Sequence, residues 1–319
     1  MDAVKRIIII LVLFSVCAAS PAFAFWVWTP ETNQWVNPKY SVKDTPKEQL
    51  DYAMGFYQAK DYEKALAELN KLISHYPKAR EAADAQYQIG LIQEEDGQFF
   101  LAFKSYQIVI EKYPFSDRAP EIIKRQYDIG NRLIEGQDKK NKFISTVVGG
   151  DYNVIDVFRT VIKNAPYGEL AAPAQYKIGL YLQEKQLYQE ARDEFEKVIN
   201  DYPNNEWAKA AKYQIALSDA KRSKGPQYDQ AVTKSAVEEF NKFVEHYPEA
   251  ELSQKAHDQI QKLREKEAQN NFVIAEFYEK QRELKSARLY YETVANDYQN
   301  TSWAQKALTK IRELSKKIK

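Results

Sequence analysis

Apolar side chains recur along this chain at spacings of three and four residues, in runs that stop at a turn and start again, the pattern of amphipathic helices arranged in pairs. In Ala174 to Asn205, AQYKIGLYLQEKQLYQEARDEFEKVINDYPNN, Ile178, Gly179 and Leu182 fall on one helical face, and Ala191, Phe195 and Val198 on a second. Ala85 to Ser116, AQYQIGLIQEEDGQFFLAFKSYQIVIEKYPFS, repeats the arrangement. Pro203 ends the second helix of the first stretch. Small residues at Gly179 and Ala191 let the two backbones approach closely, and Phe195 fills the gap that remains. Such a pair cannot bury both of its faces alone, so it has to stack on neighbours.

The spacing of small, aromatic and proline positions resembles the tetratricopeptide (TPR) repeat. The first repeat runs from about Lys47 to Pro77, with Ala53, Tyr62, Ala65, Leu69 and Leu72 at the signature places. Repeat ends follow at Pro77, Pro114, Pro166, Pro203, Pro248 and Gln299, in steps of 37, 52, 37, 45 and 51 residues. All exceed the usual step of about 34, which implies longer helices or insertions. The third repeat holds the largest, GQDKKNKFISTVVGGDY, between a helix carrying Tyr127, Ile129 and Gly130 and one carrying Val154, Phe158 and Val161. A connection of this length is often functional. The fifth has a smaller insertion at Ser223 to Pro226. Beyond Pro248 there is neither Gly nor Pro, so Glu251 to Lys280 is predicted as one long helix, and Ser302 to Lys319 as a helix capping the stack. The predicted fold is an all-α, TPR-like solenoid of five to six helix-turn-helix repeats over residues 47–319, with a C-terminal capping helix.

The ends differ in character. Lys5 and Arg6, the apolar run Ile7 to Val16 and the small-x-small site Ala22-Phe23-Ala24 have the form of a secretion signal over residues 1–24. The leading expectation is cleavage after Ala24. The alternatives are lipidation of Cys17, although Phe14-Ser15-Val16 departs from the usual residues before a lipidated cysteine, and retention of the apolar segment as an anchor. Residues 25–46 form a Trp/Pro-rich segment holding Trp26, Trp28 and Trp35. Pro30, Pro38 and Pro46 argue against a helix there. The alternating tryptophans suit either a strand added to a partner or a membrane interface, and the plainer expectation is a segment folded back over the first repeat.

A secreted chain with five to six such units, an enlarged third repeat, and a long helix carrying Val273-Ile274-Ala275-Glu276-Phe277-Tyr278 ahead of an Ala287 to Tyr298 helix resembles the BamD family of outer-membrane β-barrel assembly lipoproteins. The likeness covers about Lys47 to Gln305. It implies a periplasmic scaffold at the inner face of the outer membrane. In that family the early repeats are associated with unfolded outer-membrane proteins, and the late ones with the POTRA domains of a BamA-like barrel subunit. Tyr278, Arg282, Arg288 and Glu292 are the docking candidates this implies. The alternative is another envelope TPR adaptor, such as one coordinating peptidoglycan synthesis with the outer membrane. Adaptors of that type usually carry a coiled coil ahead of their repeats, and no heptad run precedes Lys47.

Composition narrows the chemistry. With 46 basic against 45 acidic side chains the net charge is +1, which gives no field to recruit nucleic acid. Cys17 is the only cysteine. No phosphate loop, dinucleotide fingerprint or HExxH is present, so neither an enzyme nor a cofactor is expected. His75 and His246 sit at equivalent places before Tyr-Pro, which argues for structure; His257 and Glu94-Glu95-Asp96 are expected on solvated surfaces. The remaining candidate is a peptide groove lined by the first helices. Its partly apolar floor would be Tyr87, Tyr127, Tyr176 and Tyr213, three places before the small residue, with Leu91, Asn131, Leu180 and Leu217 just after it. The competing expectation is that these tyrosines pack against their neighbours.

Overall fold

The computed structural model describes residues 26–29, 34–37, 41–136, 154–223, 225, 230–249 and 251–317. The expected signal segment and Cys17, and nearly all of the third-repeat insertion including Gly149-Gly150, lie outside them. Thirteen helices and one two-stranded ribbon are present among the described residues. The chain forms two compact units, residues 1–92 and 93–319.

The first unit begins with strands β1 (Val27–Thr29) and β2 (Gln34–Val36), antiparallel, with Trp28 opposite Trp35. Among the described residues this ribbon is the one departure from an all-α chain. Helix α1 (Pro46–Gln58) starts at Thr45, whose side chain accepts from the backbone N–H of Glu48, with a proline in its first turn. Helix α2 (Tyr62–His75) starts at Asp61, which caps Lys64 N–H. Ala53 of α1 and Ala65, Leu69 and Leu72 of α2 are all fully buried, as their spacing predicts. Helix α3 (Arg80–Glu95) contains the boundary between the units.

The second unit continues through α4 (Phe99–Lys112), α5 (Ala119–Ile134), α6 (Val154–Asn164), α7 (Ala171–Glu184), α8 (Tyr188–Asp201), α9 (Glu206–Arg222) and α10 (Gln230–His246). It closes with α11 (Glu251–Lys280), α12 (Leu284–Asp297) and α13 (Ser302–Lys317). The long helix has the predicted bounds. The apolar interior of this unit is a series of patches: Phe158, Ile178, Phe195 and Val198 in one, Phe240, Phe243 and Leu263 in the next, Phe272, Tyr291 and Leu314 in the last. The last patch shows why α13 is a cap: Ala307 and Leu314 turn inward onto α11 and α12.

Close approach within a repeat is real. A Cβ built on Gly179 would stand 2.5 Å from the Phe195 ring, and one on Gly130 2.7 Å from Phe158. The turn inside each short-turned repeat is the same device. Lys60, Gly97, Gln186 and Arg282 each have positive φ, and the following residue donates its N–H to the carbonyl five back, as in Asp61 to Phe56 and Glu283 to Tyr278. This is the Schellman end of a helix, and it fixes how far the second helix is offset along the first.

Candidate interaction surface

The tyrosines expected on a groove floor are drawn into the repeats. Tyr87, Tyr176 and Tyr213 are buried, and Tyr127 is half-buried. Tyr176 lies between Phe195 and Trp207, with ring centroids at 5.4 and 5.0 Å. Tyr213 meets Phe240 and Phe243 at 5.6 and 5.8 Å, and Tyr127 meets Phe158 edge-on at 5.7 Å. Their ring faces are occupied by neighbours. Burial raises the pKa of Tyr127, Tyr176 and Tyr213 above the ordinary phenol value, and Gln214 donates to the Tyr176 hydroxyl at 3.1 Å. Leu91, Leu180 and Leu217 are half-buried, so they retain some surface for an apolar contact.

The C-terminal candidates have a different setting. Phe277 is 57% exposed and Leu289 63% exposed, large values for side chains that lose water-structuring cost on burial. Tyr278 sits between Phe277, edge-on at 5.6 Å, and Tyr290, stacked at 5.6 Å with an interplanar angle of 15°. Arg288 and Glu292 form a surface ion pair at 2.7 Å. Such a pair contributes only about 0.3–0.5 kcal/mol on a helix, so either member can be drawn to a partner's charge at little cost. Arg282 is exposed at the positive-φ place of the turn. The end of α11 and the start of α12 thus present exposed apolar and charged groups together, and Phe277 and Leu289 add to the four residues the sequence singled out. Leu289 is on the solvent side of an otherwise regular helix, a place that periodicity alone marks as polar.

Polar links that were not anticipated tie the repeats together. Tyr106 donates to Glu94 at 2.9 Å, and Arg125 reaches the same carboxylate at 3.2 Å. Tyr291 donates to Glu279 at 3.0 Å, and Lys310 reaches it at 3.2 Å. The offsets are the same, 12 and 31 residues. Between them the fourth repeat carries Phe195 in place of tyrosine, and the neutral pair Gln183 and Gln214, at 3.2 Å, replaces acid and base. Gln183 instead bonds along the next first helix, donating to Ser218 at 3.0 Å and accepting from Lys221 at 2.9 Å. A second link recurs at Gln49 to Glu68 and Gln175 to Glu194, each glutamate also held by a lysine three residues on, Lys71 and Lys197. Glu94 is therefore a structural acceptor, which corrects the expectation of a solvated acidic run. His75, His246 and His257 are all exposed.

Buried Asp219 lies between Arg192 at 2.9 Å and Arg222 at 3.2 Å. Despite two guanidinium partners its pKa is raised, because loss of water outweighs their attraction. Nearby, α8, α9 and α10 enclose a cleft of about 340 Å³ with Ile199, Ile215 and Phe243 among its apolar lining and Arg192, Lys212 and Glu239 among its charged lining.

A family profile described as outer membrane lipoprotein (YfiO) matches residues 150–318, just over half of the sequence and the whole of the surface around Phe277 and Leu289. The chain belongs to that family. It is a BamD-like lipoprotein family, so the resemblance carried by the repeats and the FVIAEFY stretch holds. A tetratricopeptide profile matches residues 49–79 and 84–116, the first two repeats. No curated protein matches. Among solved structures, the chain is similar to the C-terminal part of a TPR protein from Cytophaga hutchinsonii, at 18% identity, 83% of this chain, 88% of that one and a TM-score of 0.37. YrrB, titled a TPR protein with an unusual peptide-binding site, is similar at 15% identity, 69% and 94% coverage and a TM-score of 0.35. A TPR protein from Parabacteroides merdae is similar at 14% identity, 84% and 98% coverage and a TM-score of 0.34. No described helix is long and apolar enough to cross a membrane.

Proposed function

We propose that this protein is a non-enzymatic periplasmic scaffold of outer-membrane β-barrel assembly, docking a POTRA-bearing, BamA-like barrel subunit through its late repeats and receiving unfolded barrel segments on its repeat surfaces. The observation that supports this reading is the coincidence of two things in one region. The outer membrane lipoprotein profile spans residues 150–318, and within that span Phe277 and Leu289 stand exposed, with the half-buried Tyr278–Tyr290 stack and with Arg282, Arg288 and Glu292 on the same two helices and the turn between them. An apolar centre with a charged rim is the anatomy of a protein interface. For the unfolded segments, the half-buried Leu91, Leu180 and Leu217 are the residues left to act, since the tyrosine rings are occupied.

The test is capture from detergent-solubilised envelopes with the doubly substituted chain Phe277→Glu, Leu289→Glu. Both side chains are exposed, so helicity by circular dichroism is expected to stay unchanged. Loss of a buried pair of this size corresponds to at least about tenfold weaker retention of the POTRA-bearing subunit. Undiminished retention would move the interface elsewhere, and co-purification of cell-wall synthases in its place would favour the peptidoglycan-coordinating adaptor.

A further inference from the structure

The Trp-rich segment does not hide its rings. Trp26, Trp28 and Trp35 are 56%, 41% and 62% exposed. In the ribbon, Trp28 pairs with Trp35 across the strands, their rings edge-to-face at 5.6 Å. Trp26 stands one residue before β1, in step with Trp28, and is exposed like it. Three of the five tryptophans of the chain thus stand exposed on or next to a ribbon only three residue pairs long, two of them paired on one of its sides. A two-stranded ribbon of that size is marginal in water by itself.

We infer that this tryptophan face is a lipid contact, lying flat at the headgroup level of a phospholipid surface. Indole has an apolar body and one N–H donor, and it concentrates where hydrocarbon meets water. Position on the chain favours lipid over protein as the occupant. The face begins nine residues after Cys17 and ten after the apolar run that ends at Val16, so an acyl chain on Cys17 would hold it within about 30 Å of the bilayer. This rests on the membrane-tethered reading of the outer membrane lipoprotein family. The backbone decides the depth. Both outer edges of a two-stranded ribbon carry N–H and C=O groups with no strand beside them, and hydrocarbon cannot satisfy these while the hydrated headgroup layer can. The contact is therefore shallow.

Quenching by brominated lipid tests it directly. The full chain, made with its envelope processing intact, is reconstituted into phosphatidylethanolamine–phosphatidylglycerol vesicles doped with phosphatidylcholine brominated near the glycerol or near the methyl end of its acyl chains. The expected result is flotation with the vesicles and loss of up to three fifths of the emission, since three of the five tryptophans stand on or next to the ribbon. Bromine near the glycerol should quench more strongly. In Trp26→Phe, Trp28→Phe, Trp35→Phe the remaining emission comes from Trp207 and Trp303, packed at 5.0 Å on Tyr176 and 5.1 Å on Phe272, and should be unquenched. Flotation without quenching overturns the lipid contact and leaves the tethered reading standing; absence of flotation overturns both. Quenching that persists in the triple variant places the contact elsewhere and overturns the proposal, as does stronger quenching by the deep bromines.

Discussion

Arg282 occupies a left-handed backbone place that Gly97 fills in the second repeat. A non-glycine residue there costs about 1–2 kcal/mol, part of which glycine returns as chain entropy in the unfolded state. Arg282→Gly is therefore expected to stabilise the chain by up to about 1 kcal/mol in urea unfolding while weakening capture of the barrel subunit. A variant that is more stable and binds as before would show that the side chain has no part in docking. Asp219 gives the pH dependence. Its folded pKa is above the ordinary 3.8, so the native state takes up the proton at higher pH than the unfolded chain does. The cost of its charge is thus present at neutral pH and is relieved as pH falls through the raised value. Relative to Asp219→Asn, the wild-type chain should gain stability on acidification and level off below about 3.8. Parallel unfolding free energies across that range would contradict this.

At the scale of helices, most of what holds a repeat together was legible in the sequence. Gly179, Ala191 and Phe195 announce a close crossing, and the structure shows the space is filled. Gly179→Ala gains about 1 kcal/mol of helix propensity but drives a methyl into a fully buried ring, for a net loss of roughly 1–2 kcal/mol by thermal or urea unfolding. The groove was less legible. Period and spacing say which side of a helix a tyrosine occupies, and the partner that covers it comes from another helix. Trp207 over Tyr176 is such a case. Tyr176→Ala should accordingly cost about 3 kcal/mol or more, which makes it a stability variant and unsuited to a binding test. The Tyr–Glu–base links were hidden for another reason: each joins three helices, and only the recurrence of the 12 and 31 residue offsets gives them away.

Within residues 93–319, successive helix pairs are joined through apolar patches, and stability in such an array is close to a sum over repeats and their interfaces. The capping role of α13 can be checked on that basis. Leu314 is fully buried against the last pair, so Leu314→Ala is expected to lose about 2–4 kcal/mol, with hydrogen exchange rising first in α11 to α13. Uniform acceleration along the chain would mean that the array unfolds as one block. The Trp-rich stretch ahead of the first repeat was the least legible of the described residues, because no periodicity distinguishes a tryptophan destined for a core from one that stays in solvent.

The residue four past the small residue of each first helix also bears on where the chain tolerates growth. It is Tyr57, Glu94, Gln183 and Glu279 where the internal turn is short, and Ile134 and Ala220 in the third and fifth repeats, whose second helices begin only at Val154 and Gln230. Phe158 and Phe240 stand opposite, without a hydroxyl. Hydrogen bonds demand a helix offset held to within a few tenths of an ångström, whereas apolar contact is indifferent to direction. Loss of the tyrosine–acid link thus permits new sequence in the bend without requiring it: the third and fifth repeats carry the insertions, whereas the first and fourth, with Leu69 and Phe195 at the tyrosine place, keep short turns.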